Sequence, residues 1–129
     1  MGKTQEIGNA GEELVAKYLR QKGFIISARQ YHSKYGEIDI IAENDELILF
    51  VEVKTRSSNS FGRPMEYVDK QKRHKIRLTA NIYLSRNAVC LQPRFDVAEV
   101  FLQDKGKTDK MTVNYIENAF GADMNESGF

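Results

Sequence analysis

The sequence predicts a single α/β domain in which helices flank a mixed central sheet, in the order α-β-β-β-α-β-β. The chain has 129 residues, a length that suits one domain with a hydrophobic core of its own. Stretches of helical periodicity alternate along the chain with short strand-like runs. Because the helical stretches stand on either side of the first strands, we expect helices on both faces of the sheet.

The first predicted helix covers residues 9–22 and ends at Gly23, a residue type that suits the position after a helix. Glu13 points almost opposite its apolar stripe, whereas Glu12 lies at the edge of that stripe. We therefore expect Glu13 to face solvent and Glu12 to reach groups packed beneath the helix. Four residues at helical spacing form the stripe: Leu14, Val15, Tyr18 and Leu19.

Strands are predicted at residues 24–30, 37–42 and 47–54, with a hairpin turn at Asn44-Asp45 between the last two. Both faces of the third strand begin apolar, which is typical of a central strand covered on both sides. A polar loop is expected at residues 55–64.

The second predicted helix covers residues 69–85, with Asp69 as its N-cap and Lys72 inside its apolar stripe. A strongly alternating strand is predicted at residues 94–102, and an edge strand at residues 111–116 follows a turn at residues 104–107. The predicted domain spans residues 1–117, and residues 118–129 are expected to form a flexible C-terminal tail.

The formal net charge of +1 argues weakly against a nucleic-acid-binding protein, because such domains are often strongly basic. The charges are segregated, however: residues 37–53 carry a net charge of −6 and residues 54–77 a net charge of +6. Such a chain either presents a carboxylate cluster beside a basic surface or simply alternates solvated faces.

The single cysteine, Cys90, excludes an internal disulfide framework and favours a reducing, cytoplasmic setting. The first residues lack the apolar stretch of a signal peptide, and the longest apolar run, residues 47–51, is far shorter than a membrane span. We expect a cytoplasmic protein with no membrane segment. A zinc site is not expected, because cysteines and histidines form no cluster.

Charged residues interrupt the apolar strands at three positions. Asp39 lies between two isoleucines, while Glu52 and Lys54 end the most apolar strand, where charges require partners. If the second and third strands pair through the hairpin, Asp39 lies beside Glu52. Two carboxylates in a partly dry site repel each other, and an oxygen-binding cation such as Mg²⁺ or Mn²⁺ relieves that repulsion.

Two interpretations of Asp39, Glu52 and Lys54 are open. One is a buried salt bridge, and the other is a metal-dependent hydrolytic site. The spacing of Asp39 and Glu52 on adjacent strands, with Lys54 two residues further, favours the second. A lysine beside a metal-bound carboxylate can lower the pKa of an attacking water or offset charge on a phosphorane.

These residues resemble a known signature. Asp39 with Glu52-Val53-Lys54 resembles the PD-(D/E)xK nuclease motif, with Ile38 where the broader motif has proline. More narrowly, the chain resembles the YraN-like family of bacterial proteins, described as Holliday-junction-resolvase-like endonucleases. The resemblance spans about residues 8–102, and its further elements are Gly11-Glu12, residues 36–42, residues 50–56, Gly62-x-Pro64, Lys72 and residues 94–97.

The resemblance implies a restriction-endonuclease-like fold and a metal-dependent endonuclease. It implies that Asp39 and Glu52 bind Mg²⁺ (or Mn²⁺) with the Val53 carbonyl as a third ligand. It further implies that Lys54 activates or orients the attacking water and that Glu12 completes the acidic cluster. Asp96 matches another element of the family, and we interpret it either as structural or as a residue that supports the metal ligands from behind.

The implied substrate is DNA, including branched DNA such as Holliday junctions, and symmetric cutting of two strands implies a homodimer. The basic stretch at residues 54–77 would lie along phosphates, with Arg56, Lys72 and Arg73 as nucleic-acid-binding residues. The alternative for Lys72 is a stem packed on the core with its amine turned to solvent.

Two other functions stay open. One is a non-catalytic DNA- or RNA-binding module that keeps the nuclease scaffold, and the other is a protein-interaction adaptor with a solvated basic helix. The intact set of Asp39, Glu52 and Lys54 favours the enzyme. Three aromatic residues beside basic ones either stack on bases or anchor their loops on the core: Tyr31, Tyr35 and Phe61.

Overall fold

A computed structural model describes residues 2–56, 68–102 and 111–122 of the chain. Two helices and five strands follow one another in the predicted order, which confirms the α/β architecture. The elements are α1 (Gly2–Gln21), β1 (Ile25–His32), β2 (Glu37–Glu43), β3 (Leu47–Arg56), α2 (Lys70–Arg86), β4 (Gln92–Leu102) and β5 (Met111–Phe120).

The five strands form one mixed sheet in the order β1-β2-β3-β4-β5. Neighbouring strands are antiparallel except for β3 and β4, which are parallel. A parallel pair requires a crossover connection, and α2 lies in that connection. This arrangement places β3 at the centre of the sheet.

The two helices cover opposite faces of the sheet, and each face has its own hydrophobic core. Leu49 and Val51 of β3 pack in the core beneath α1, whereas Ile48 and Phe50 pack in the core beneath α2. Successive residues of β3 thus alternate between two cores, as predicted for a strand covered on both sides. The charged residues Glu52 and Lys54 follow this wholly apolar segment on the same strand.

The start of α2 confirms the predicted cap. The Asp69 side chain accepts a hydrogen bond from the Lys72 backbone N–H at 2.8 Å, which satisfies one of the unpaired donors of the first turn. No helix in the described ranges is both long enough and apolar enough to cross a membrane.

Several elements extend beyond their predicted ends. The first helix begins at Gly2 rather than near residue 9, and β3 continues through Arg56 into the predicted loop. The last strand reaches Phe120, so the prediction of a tail from residue 118 is wrong for the first residues of that segment. The Phe120 ring stacks on Phe95 with 5.1 Å between centroids, and this packing explains the longer strand.

Some predicted features lie outside the described residues. They are the loop at residues 57–64 with Phe61 and Gly62-x-Pro64, the turn at residues 104–107, and residues 123–129 of the predicted tail.

Candidate functional site

The hairpin of β2 and β3 brings Asp39 and Glu52 together. Ile40 pairs with Val51 and Ile41 with Phe50. One further step along the same register places Asp39 opposite Glu52, as the predicted hairpin requires. Asn44 fixes the turn, because its Oδ1 accepts hydrogen bonds from two backbone N–H groups, at 2.9 and 2.7 Å. Both carboxylates therefore lie at one end of two central strands.

The direction of Asp39 depends on a break in the alternation of β2. Ile38 packs in the α2 core while Ile40 packs in the α1 core, although residues two apart normally share a face. Across the ladder, Gln30 of β1 has a φ of 51°, in the left-handed region. Irregularities of this kind re-aim side chains beside functional sites, and strand periodicity alone gives no sign of this one.

The Asp39 carboxylate is half-buried and crowded by negative charge. Its Oδ2 accepts a hydrogen bond from the Val53 N–H at 2.8 Å. Burial and the neighbouring Glu52 carboxylate, with a smaller contribution from Glu12, nevertheless raise the pKa of Asp39 to about 7. The cost of ionising this carboxyl is the effect expected where acidic groups are held together in a partly dry site.

Glu12 joins this cluster from α1, as the resemblance implied. A Cβ atom at Gly11 would lie 3.1 Å from Thr55 Oγ1, so glycine lets the helix approach the sheet closely. Glu12 is 6% exposed, and it lines a cavity of about 260 Å³ together with Asp39 and Val53. Glu12 therefore lies close to Asp39, and its charge contributes to the raised pKa of that carboxyl.

Two residues of β1 that the sequence analysis missed hold Glu12 in place. The Arg29 Nε donates to Glu12 Oε1 at 2.8 Å, and Gln30 Nε2 donates to Glu12 Oε2 at 3.4 Å. Pairing β1 with β2 would have predicted the position of Gln30. Its neighbours Arg29 and Tyr31 pair with Ile40 and Ile38, on either side of Asp39. Glu13 is 56% exposed as predicted and pairs with the same arginine.

Lys72 faces the carboxylates rather than turning its amine away into solvent. Its Nζ lies 2.5 Å from Glu52 Oε2, with the lysine side chain 44% exposed. Burial alone would lower the pKa of Lys72, but the hydrogen bond and charge of Glu52 outweigh it, so this pKa is raised. The lysine thus balances part of the negative charge at the site.

Lys54 is half-buried two residues beyond Glu52 on the same strand. Regular alternation places both side chains on one face of β3. Among the described residues, its Nζ forms no hydrogen bond or ion pair. It therefore differs from Lys72, whose amine already contacts a carboxylate.

The structure places two of the predicted nucleic-acid-binding arginines against protein groups. Arg56 Nε lies 3.0 Å from Glu99 Oε2, and both side chains are largely buried. Arg73 is 6% exposed and donates through Nη1 to the Val68 carbonyl at 2.5 Å. The expectation that these residues face phosphates is corrected, because a buried acid and a helix-start carbonyl take their guanidinium groups.

Asp96 is structural, in agreement with the first of its two interpretations from sequence. It is fully buried and accepts two hydrogen bonds from Arg94 at 2.9 Å each, one from the Tyr115 hydroxyl at 2.6 Å and one from the Asn118 N–H at 2.8 Å. These bonds tie β5 to β4, and Asp96 itself pairs with Val51, the residue before Glu52 on β3.

The donor set around Asp39 suits a hard divalent cation. Asp39, Glu52 and the Val53 carbonyl offer only oxygen, which Mg²⁺ and Mn²⁺ prefer. Within the described ranges, no three side chains of His, Cys, Asp or Glu are arranged to hold a metal among themselves. A cation here would rely on the two strand carboxylates, with backbone and water oxygens filling its remaining positions.

Fold and site together define a small α/β protein whose central hairpin carries converging carboxylates and flanking lysines. The chain matches the model of the uncharacterised protein family UPF0102 over residues 11–100 and belongs to that family. The matched region contains all the candidate site residues from Glu12 to Arg73.

Curated relatives match over nearly their whole length. A UPF0102 protein of Caldanaerobacter subterraneus subsp. tengcongensis is 46% identical over 115 residues, which cover 88% of this chain and 93% of the relative. A UPF0102 protein of Clostridioides difficile (strain 630) is 44% identical over 118 residues, or 91% and 98% of the two chains.

Proposed function

We propose that this protein is a metal-dependent endonuclease that hydrolyses phosphodiester bonds in DNA, including branched DNA such as Holliday junctions. The observation that carries the proposal is the convergence of Asp39, Glu52 and Glu12, which crowds negative charge at one end of the central strands. The resemblance to PD-(D/E)xK nucleases supports the same reading, because the acids occupy the motif positions.

Each residue of the site has a role in this proposal. Asp39, Glu52 and the Val53 carbonyl would hold Mg²⁺ (or Mn²⁺), which when bound supplies a Lewis acid and a water of lowered pKa. Lys54 positions the attacking water and places positive charge where phosphate oxygens gain negative charge. Glu12, fixed by Arg29, completes the acidic cluster.

Lys72 connects the site to the rest of the substrate. In the structure it neutralises Glu52, and in the proposal its amine also approaches a phosphate beside the scissile bond. A lysine binds phosphate as a point charge, so it contributes to substrate affinity as well as to local charge balance.

A symmetric cut of a four-way junction needs two active sites related by a two-fold axis, so we propose a homodimer in the cytoplasm. Light scattering coupled to size-exclusion chromatography measures the mass directly. A mass near twice that of the 14.8 kDa chain, alone or with a junction bound, supports the dimer, whereas one chain per junction contradicts it.

The test of function is cleavage of a four-way junction, a single strand and a linear duplex, each with Mg²⁺, with Mn²⁺ and with a chelator. We expect cleavage only with metal, and a loss of about 100-fold or more in Asp39→Asn and Glu52→Gln. Glu13→Gln is the matched control, because Glu13 is exposed on the same helix as Glu12. Equal activity of Glu52→Gln and wild type would contradict the assignment.

A second function, a non-catalytic nucleic-acid-binding module, is favoured by one observation. The Lys72–Glu52 ion pair balances one carboxylate without any metal. A binding module predicts junction affinity that is unchanged in Asp39→Asn and no cleavage with either metal. The assay above separates the two functions, because binding and cleavage are measured on the same substrates.

A further inference from the structure

Tyr35 is an exposed aromatic residue on a turn that is fixed to α2. It is 39% exposed, and Ile25 is the other exposed large hydrophobic side chain of the described residues. Ser33 holds the turn: its Oγ accepts from the Tyr35 N–H at 3.0 Å and lies 2.7 Å from the Thr79 hydroxyl of α2. The backbone beneath the exposed ring is therefore anchored by hydrogen bonds.

The helix beside this turn carries its lysines and arginines between Lys70 and Arg77 and again at Arg86. None of the 17 residues of α2 is acidic, and Lys70, Lys75 and Arg86 are exposed on its surface. The two acidic residues nearest the turn are engaged, since Asp69 caps the helix and Glu37 lies 3.3 Å from His32 Nδ1. This face suits a polyanion.

Two cavities meet at Tyr35 and extend this face in both directions. One, of about 320 Å³, is lined by Tyr35, Lys72 and Lys75 and also by the two acidic residues Glu37 and Asp69. The other, of about 510 Å³, is lined by Tyr35, Lys34 and Arg86, and apolar side chains of α2 complete its wall. From Lys72 to Arg86 the helix rises about 21 Å, so the surface can follow several nucleotides.

This surface begins at the acidic cluster. Lys72 lines the first cavity and also contacts Glu52, so a strand lying along α2 would lead directly to the carboxylates. Beside the ring, Lys34 Nζ lies 5.3 Å from the Tyr35 ring centroid, within cation–π distance. An aromatic ring beside cations is the combination that binds unpaired bases together with their phosphates.

We propose that the Tyr35 turn and the outer face of α2 form a subsite for an unpaired DNA strand, in which Tyr35 stacks on a base. The inference rests on the proposed function for the class of substrate and adds the path of the strand. In a duplex the faces of the bases are stacked on the neighbouring base pairs, so a ring on the protein surface fits bases that are unpaired and unstacked at branches or ends.

The test is binding measured in a chelator, where no metal-dependent cleavage occurs. Fluorescence anisotropy is recorded with a labelled oligothymidylate of about 15 nucleotides and with a duplex of equal length. The variants are Tyr35→Ala, Tyr35→Phe and the control Ile25→Ala, which removes the other exposed large hydrophobic side chain of the described residues, at the opposite end of β1. Circular dichroism melting confirms that each variant is folded.

We expect Tyr35→Ala to weaken oligothymidylate binding about five-fold or more, and duplex binding by less. Tyr35→Phe keeps the ring and should bind within about two-fold of wild type, as should Ile25→Ala. The dependence on salt separates the two kinds of contact. Lys75→Ala should lower the slope of log affinity against log salt by about 0.7, whereas Tyr35→Ala should leave that slope unchanged.

Four results would overturn the inference: wild-type affinity in Tyr35→Ala, an equal loss with the duplex, an equal loss in Tyr35→Phe, or no binding of the oligonucleotide by the wild type. Failure of the proposed function is distinct, because it is read from cleavage with metal. A protein that binds thymidylate through Tyr35 but never cleaves DNA rejects the endonuclease and keeps the subsite.

Discussion

Two aspartates in the same sheet, the fully buried Asp96 and the half-buried Asp39, have opposite surroundings. Asp96 of β4 accepts four hydrogen bonds, two of them from the Arg94 guanidinium. Asp39 of β2 accepts one from the Val53 N–H and stands beside two further carboxylates. Only the first aspartate has a full set of donors and a counterion, Arg94, that bonds to both of its oxygens.

The difference separates a carboxylate that stabilises the fold from one that is available for chemistry. The hydrogen-bond partner Tyr115 is also affected: burial and the Asp96 charge raise the pKa of Tyr115 well above its ordinary value. Around Asp39 the charge is under-compensated, and perturbed carboxylates of this kind cluster at functional sites. We therefore expect replacement of Asp96 to lower the free energy of unfolding and replacement of Asp39 by asparagine to raise it.

The largest effect on stability should come from Asp96→Ala. The change leaves the Arg94 guanidinium, the Tyr115 hydroxyl and the Asn118 N–H without their shared acceptor, so we expect a loss of about 3–5 kcal/mol. Urea unfolding measures it, with the exposed Glu13→Ala as control. A loss below about 1 kcal/mol would show that the network is not structural.

The approach of α1 to the sheet should be sensitive to one methyl group. Gly11→Ala places a Cβ atom 3.1 Å from Thr55 Oγ1, so we expect destabilisation by about 1–3 kcal/mol and weaker cleavage as Glu12 is displaced. Gly8→Ala, on the same helix with no atom within 4 Å of the added Cβ, should instead stabilise by up to about 1 kcal/mol. Equal effects of both substitutions would contradict the close approach.

The substitution Asp39→Asn should abolish cleavage yet stabilise the protein, by about 0.5–2 kcal/mol at pH 8. The pKa of Asp39 in the folded protein, about 7, exceeds its ordinary value of 3.8, so the folded protein binds the proton more tightly than the unfolded chain. Stability linked to Asp39 is therefore full below about pH 4 and is lost as the pH rises through about 7.

Because asparagine resembles the neutral carboxyl, the stabilisation by Asp39→Asn should shrink between pH 8 and pH 5. Thermal unfolding of both proteins across this range measures the difference. Asp39→Asn less stable than wild type at pH 8 would show that the carboxylate is compensated after all, as Asp96 is.

Much of the fold and of the candidate site could be predicted from the sequence. The order of helices and strands follows from the periodicity of hydrophobic residues. The proximity of Asp39 and Glu52 follows from the register of the β2–β3 hairpin. The helix-edge position of Glu12 follows from its angle to the apolar stripe. Each of these depends on residues that are close in sequence or on one regular element.

What escaped prediction depends on contacts between distant segments. Arg56 meets Glu99 because β3 and β4 lie side by side after the crossover, and no local pattern gives that register. The longer β5 reflects the bond from the Asn118 N–H to Asp96 and the packing of Phe120. The break at Asp39 is likewise a tertiary feature, since it involves the opposite residue Gln30.

The central claim, that the under-compensated carboxylates form a divalent-cation site, is tested most directly by calorimetric titration with Mn²⁺ at pH 8. We expect the wild type and Glu13→Gln to bind the ion through oxygen ligands, and Asp39→Asn and Glu52→Gln to lose that binding. An absence of binding in the wild type, or equal binding in all four proteins, would contradict the account.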